Sequence, residues 1–166
     1  MVELCQMPMM RMPECLRTVC TSTTWANLKR TRYGVLNVTD DVELLARAAV
    51  GRVLPPPPLI QLPEGKGNLL AQTCRWYAFM VKSVDERQQR VLVTAQVEQR
   101  GRLRDFFGFN RAKHAVLEAA ILATRSHILP RKKIEVEFQE LEKIVQKTGG
   151  DQEFRAFRYL QEYIKQ

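Results

Sequence analysis

Residues Thr21 to Asp41 read TSTTWANLKRTRYGVLNVTDD, and no other stretch limits the possible folds of this chain as strongly. Hydroxyl side chains at Thr21, Ser22, Thr23 and Thr24 stand ahead of a short amphipathic segment. In it Trp25 and Leu28 share one face, and Asn27, Lys29 and Arg30 are available to the other. The pattern predicts a helix that starts at the hydroxyls and runs to Gly34, with an apolar, buried strand over Tyr33 to Thr39 directly after it. A helix N-terminus carries unpaired N–H groups and the positive end of the dipole, so hydroxyls gathered there suit a phosphate monoester. Asn27, one turn on, can donate to a phosphate oxygen and accept from a ligand hydroxyl, while Lys29, Arg30 and Arg32 offer charge to a dianion. A plainer reading has Ser22 simply capping its own helix.

Downstream, Asp40 precedes Glu43 by three positions, a capping-box spacing for a helix carrying Val42, Leu45, Ala46 and Ala49 as far as Gly51. Asp40 and Asp41 also form a carboxylate pair, but acidic residues collect at helix starts for electrostatic reasons, and capping is preferred to acid/base chemistry. The prolines at 55 to 58, with Pro63, Gly65 and Gly67, predict an extended surface connection. Leu70 to Val84 and Gln89 to Arg100 make the clearest β pair. Val91, Val93, Ala95 and Val97 alternate with mostly polar neighbours, and Asp85-Glu86-Arg87-Gln88 is short enough for a hairpin. Trp76, Tyr77 and Phe79 read as core residues rather than as contacts to a ligand ring.

The last third is helical. From about Asn110, Ala112, Ala115, Val116, Ala119, Ala120 and Ala123 form a small-residue stripe, and Arg111, His114, Glu118 and Arg125 form a second. His114 with Glu118 lacks an evident third metal ligand, so an ion-paired stripe is the preferred reading. After Pro130 a helix presents Ile134, Phe138, Leu141 and Val145 and stops at Gly149 and Gly150. Asp151 is expected to cap a final helix with Phe154, Phe157, Leu160 and Ile164 inward. The tail is thus expected to be a three-helix element packed on or beside the strands. Phe106, Phe107 and Phe109 are expected to plug the space between strand and helix.

With 166 residues, 45% of them hydrophobic, the chain can bury a core of ordinary domain size. Four cysteines without a pairing pattern, no apolar run of about 18 residues and no leader with a continuous apolar core point to free thiols, no membrane span and the cytoplasm. The net charge of +8, concentrated near Lys29 to Arg32, Arg100 to Arg104 and Arg111 to Lys113, admits a nucleic-acid reading. No nucleic-acid signature accompanies it, and a solvated surface or a site for a smaller anion is preferred. No catalytic motif or metal cage is evident.

The pattern S-T-T-x-x-N-L, then a glycine and a strand ending N-V-T, resembles the flavin reductase-like split β-barrels. VTDDVELLARAAVG (Val38 to Gly51), CRWYAFMVKSVD (Cys74 to Asp85), RGRLRDFFGFNRAKHAVLEAAILATRSHILP (Arg100 to Pro130) and KTGG (Lys147 to Gly150) extend the resemblance over nearly everything from Thr21 onward. They are similar to an uncharacterised FMN-binding split-barrel family of archaea and of methylotrophic and planctomycete-type bacteria. The resemblance implies an α+β fold, a split β-barrel incomplete at its N-terminus with a C-terminal three-helix element. It divides the chain into an atypical segment 1–20, an FMN-binding barrel 21–105 and a helical subdomain 106–166. It implies FMN as cofactor, with Thr21, Ser22, Thr23, Thr24 and Asn27 at its phosphate and ribityl chain, and a homodimer. The function it implies is an FMN-dependent oxidoreductase of unknown substrate. A flavin-binding or structural protein without turnover is the alternative, and a nucleic-acid binder the more distant one.

One departure stands out. Family members reach the hydroxyls only after two or three strands carrying a segment like N-x-A-P-M-G, whereas here twenty residues precede Thr21 and hold five of the six methionines, with Pro8 and Pro13 interrupting a strand reading. The opening strands are expected to be lacking or replaced, the N-terminus mobile, FMN binding weak, and the sheet edge near Gly34 to Thr39 unpaired. Met and Cys are soft ligands, so a copper(I) site is the alternative use of this segment.

Overall fold

In the computed structural model, which describes residues 3–4, 15–19, 22–51, 53, 55–63, 67–87 and 90–165, the alternating segments pair into sheets and the helix-period segments gather into a bundle. In chain order the elements are β1 (Glu3–Leu4), β2 (Cys15–Val19), α1 (Thr23–Thr31), β3 (Tyr33–Val38), α2 (Val42–Val50), β4 (Leu59–Gln61) and β5 (Asn68–Leu70). Then follow β6 (Arg75–Asp85), β7 (Arg90–Arg102), α3 (Arg111–Thr124), α4 (Arg131–Thr148) and α5 (Asp151–Tyr163). Two compact units result, Met1–Thr39 with Pro58–Asp105 and Asp40–Pro57 with Phe106–Gln166. The stretch 40–57, which the linear reading grouped with the barrel, clusters with the C-terminal helices because Val42 and Ala46 are buried in their core.

The first unit is a five-stranded antiparallel sheet of order β1-β2-β7-β6-β3, with β4 and β5 as a second pair. Val91, Val93 and Ala95 of β7 are buried as the alternation predicts, while Gln96 and Glu98 are exposed. β6 is covered on both faces. Phe79 and Val81 join Val91, Val93 and Ala95 under Trp25 and Leu28 of α1. On the opposite face Ala78, with half-buried Trp76 and Val35, packs against Leu62 and Leu69. Register shifts between Ala78/Phe79 and Val81/Ser83 interrupt the β6–β7 ladder, irregularities that bend and twist a sheet.

Several expectations change here. The run from Leu70 to Val84 is not one strand: it breaks at a turn over residues 71–74, and its first part pairs with β4 inside the supposed surface connection. The backbone and side chain of Asn37 explain the anchoring, since its Oδ1 accepts from the Leu70 N–H at 3.0 Å and ties β5 to β3. β3 is half-buried at every position rather than buried, as befits a strand at the end of the sheet order, where an unpaired edge was expected. The opening segment, whose strands were expected to be lacking or replaced, holds two short antiparallel strands of 2 and 5 residues, and the second pairs with β7. Pro8 and Pro13 lie outside the described residues. The mobility and the copper(I) reading expected of this segment fall largely on residues outside the described ones.

α1 does not run to Gly34. It ends at Thr31, where Arg32 takes a left-handed conformation (φ 61°) and its N–H bonds the Leu28 carbonyl at 3.0 Å. Gly34 instead lies within β3 opposite Phe79, where a Cβ would stand 2.5 Å from the ring. The glycine is required by close packing, not by a helix stop.

In the second unit α2, α3, α4 and α5 share a core of Val42, Ala46, the six small residues of α3, Ile134, Phe138, Val145, Ala156, Phe157 and Leu160. The N-cap of α2 is Asp41, whose Oδ1 accepts from the Leu44 N–H at 3.0 Å, and not Asp40. Asp40 is buried and its Oδ2 accepts from the Phe107 N–H at 2.8 Å, so the two carboxylates hold separate backbone groups. Asp151 is exposed rather than capping. Gly150 occupies the N-cap of α5 and its N–H bonds Glu153 Oε2 at 2.8 Å. Phe154 turns outward, because the buried stripe follows Glu153, Ala156, Phe157 and Leu160. Phe106, Phe107 and Phe109 are exposed and plug nothing. The second stripe of α3 is exposed as well, and among the described residues no ion pair joins Arg111, His114, Glu118 or Arg125.

Candidate functional site

The start of α1 is positioned by burial of its other face. Trp25 and Leu28 sit three residues apart and enter the sheet core, which fixes the rotation of this nine-residue helix. Ser22, extended at φ −78° and ψ 145°, accepts from the Trp25 N–H through Oγ at 3.1 Å and from the Ala26 N–H through its carbonyl at 3.1 Å. It is the helix cap that the plainer reading foresaw. Thr23, Thr24 and Asn27 are exposed, and at spacings of three and four their side chains are neighbours on the helix surface. No acidic residue occupies the first turn, so nothing there offsets the positive end of the dipole. Thr21 lies outside the described residues.

The basic side chains near this helix are less available than the sequence suggests. Arg32 Nη2 donates to the Val81 and Lys82 carbonyls at 3.1 and 3.3 Å and joins the turn to β6. Lys29 Nζ lies 3.3 Å from Glu86 Oε1 and 5.6 Å from the Trp25 ring centroid. Arg30 is exposed. Elsewhere Arg102 pairs with Asp105 at 2.7 Å, Arg104 Nε donates to the Gln72 carbonyl at 3.0 Å, and Lys113 pairs with Glu153 at 3.0 Å. The clusters that invited nucleic acid are in good part spent on contacts within the protein.

A polar cluster in the helical unit had no sequence signal, because its members are far apart in the chain. Lys113 Nζ reaches the Asp40 carbonyl at 2.9 Å, Gln152 Oε1 at 3.0 Å and Glu153 Oε1 at 3.0 Å, and Gln152 Nε2 donates to Asp41 Oδ1 at 3.0 Å. It joins α2, α3 and α5 and offers no open group for chemistry. Among the described residues no set of three His, Cys, Asp or Glu could hold a metal, so His114 and Glu118 gain no third ligand. Cys74 is a buried free thiol, and no described helix is long and apolar enough to cross a membrane.

The bent antiparallel sheet with its capping helix, joined to a helical element, is an α+β split barrel of the flavin reductase type, with short strands on its opening side. Residues 15–104 match the family model "Protein of unknown function (DUF447) N-terminal domain" and residues 110–162 match "Protein of unknown function (DUF447)". The chain belongs to this family. Its structure is similar to that of the FMN-bound protein MM1853 from Methanosarcina mazei, of the same family, with a TM-score of 0.75 and 24% identity over 90% of this chain and 80% of that one. More distant are the Streptomyces globisporus NADH:FAD oxidoreductase SgcE6 (TM-score 0.46, 10% identity, 54% and 57% covered) and the styrene monooxygenase flavin reductase of Pseudomonas putida S12 (0.43, 14%, 53% and 59%). No curated protein matches the sequence.

Proposed function

We propose that this chain binds FMN at the start of α1 and works as an FMN-dependent oxidoreductase, as a homodimer in the cytoplasm. The observation that carries the reading is the helix end itself: Thr23, Thr24 and Asn27 exposed together on a dipole that no first-turn carboxylate offsets, in a fold similar to that of an FMN-bound protein. In it Thr21 to Thr24 hold the phosphate through hydroxyls and the first N–H groups of the helix, and Asn27 holds the ribityl chain. Bound FMN supplies the electron and hydride chemistry, and the protein supplies binding, orientation and shielding from water. The end position of β3 in the sheet order favours self-association, since an edge strand offers its N–H and carbonyl groups to another chain. The buried free Cys74 suits a reducing compartment.

The test is an absorption spectrum of the purified chain followed by FMN titration. Thr24→Val is expected to weaken FMN by about 1 to 2 kcal/mol, the loss of one hydrogen bond to a charged group, at unchanged urea stability. Ser22→Ala costs about 1 kcal/mol of stability as a lost cap and weakens FMN as well. Flavin affinity that is indifferent to both changes would remove the phosphate assignment. Bleaching of the bound flavin by NADH or NADPH separates an oxidoreductase from a flavin binder without turnover, and light scattering at micromolar concentration reads the dimer.

A further inference from the structure

We propose that the exposed face of α3 is a contact between two copies of this chain. The inference rests on the homodimer part of the reading above and is independent of flavin. α3 and α4 border a groove of about 450 Å³ whose lining includes Phe109, Arg111, His114, Ala115, Glu118 and Ile144. Phe109 is 96% exposed beside it and follows Gly108, which takes a positive φ of 100°. A whole phenylalanine ring in water at the rim of an apolar groove is surface that burial against another chain would stabilise.

The charges on this face select the occupant. Arg111 and Glu118 are seven residues apart, two helical turns or about 10.5 Å, and therefore share one stripe. Neither takes part in an ion pair among the described residues. Midway between them His114 is exposed, and its neighbour Ala115 is buried in the core of the unit. If a second α3 lies antiparallel with the two-fold axis between His114 and Ala115, Arg111 meets the partner subunit's Glu118 and Glu118 meets the partner subunit's Arg111. Both pairs form together. One positive and one negative charge placed evenly about one point of the helix match their own copy, which is the requirement of an isologous contact. Phe109, just ahead of the helix, extends each end of the contact over the apolar surface of the other chain.

Charge reversal tests this directly, because the residues concerned are exposed and their replacement leaves the core intact. Arg111→Glu and Glu118→Arg, made singly, put like charges against each other twice. Each is expected to weaken self-association at least tenfold by sedimentation equilibrium, with unchanged circular dichroism. The double variant Arg111→Glu/Glu118→Arg restores opposite charges and is expected to return to within about threefold of the wild type. Phe109→Ser is expected to weaken association without rescue by the charge swap. A wild-type dimer unaffected by the single reversals, or a double variant no better than either, overturns the α3 contact and leaves the homodimer reading standing. A wild-type chain that stays monomeric overturns both.

Discussion

Glu153 is 6% exposed and does two things at once, closing the start of α5 through the Gly150 N–H and pairing with Lys113. Burial alone pushes its carboxyl upward, but the hydrogen bond from Gly150 and the bond and charge of Lys113 outweigh it, and the pKa is lowered below the ordinary 4.5. A carboxyl lowered in the folded state contributes stability that is present above its unfolded pKa and is lost as pH falls through the folded one. Glu153→Gln is therefore expected to cost about 3 kcal/mol near neutrality, as for a buried pair broken on one side. Its deficit against the wild type, read from urea curves, is expected to hold constant down to about pH 4.5 and to shrink below that. A deficit independent of pH to pH 2 would contradict the pairing. At this scale the sequence misleads for a physical reason: Asp151 has the residue type of a cap, yet Glu153, one turn inside, reaches back to the N–H that needs it.

At the scale of elements, the joint between α1 and the sheet depends on Gly34. An added Cβ stands 2.5 Å from Phe79 Cζ and 3.0 Å from Leu28 Cδ2, both side chains of the core under the helix. Gly34→Ala is expected to destabilise the protein by about 1 to 3 kcal/mol through overpacking, measured by urea unfolding, and Phe79→Leu in the same chain to recover part of the loss. A neutral Gly34→Ala would mean that the ring moves aside freely. Elements with long, regular periods were legible: the valine alternation of β7 and the small-residue stripe of α3 came out as read. β4 and β5 were not, since three residues each cannot show a period, and their pairing depends on Asn37 and on the face of β6 they cover.

At the scale of the whole molecule, each unit has its own buried core, one between α1 and the sheet and one among four helices. If FMN occupies the start of α1, ligand linkage stabilises the native chain by about 2.7 kcal/mol at a hundred times the dissociation constant. The unfolding midpoint in urea is then expected to rise with FMN concentration, and in Thr24→Val to rise less, by the equivalent of about 1 to 2 kcal/mol at the same concentrations. A midpoint insensitive to FMN would oppose the proposed site.

What could be read along the chain was whatever depends on near neighbours: hydroxyls before an amphipathic helix, the alternating strand, the small-residue stripe of α3, the glycine stops of α2 and α4, and through their particular spelling the family. Those features arise from periods of two and 3.6 residues and from capping chemistry within a few positions. Folding settled what depends on residues far apart: that Arg32 spends its charge on β6 carbonyls, that α2 joins the C-terminal helices, that Asp40, Lys113 and Glu153 meet, and that Phe109 stays in water. No local pattern encodes these, because each is set by which surfaces the packed elements leave covered or exposed.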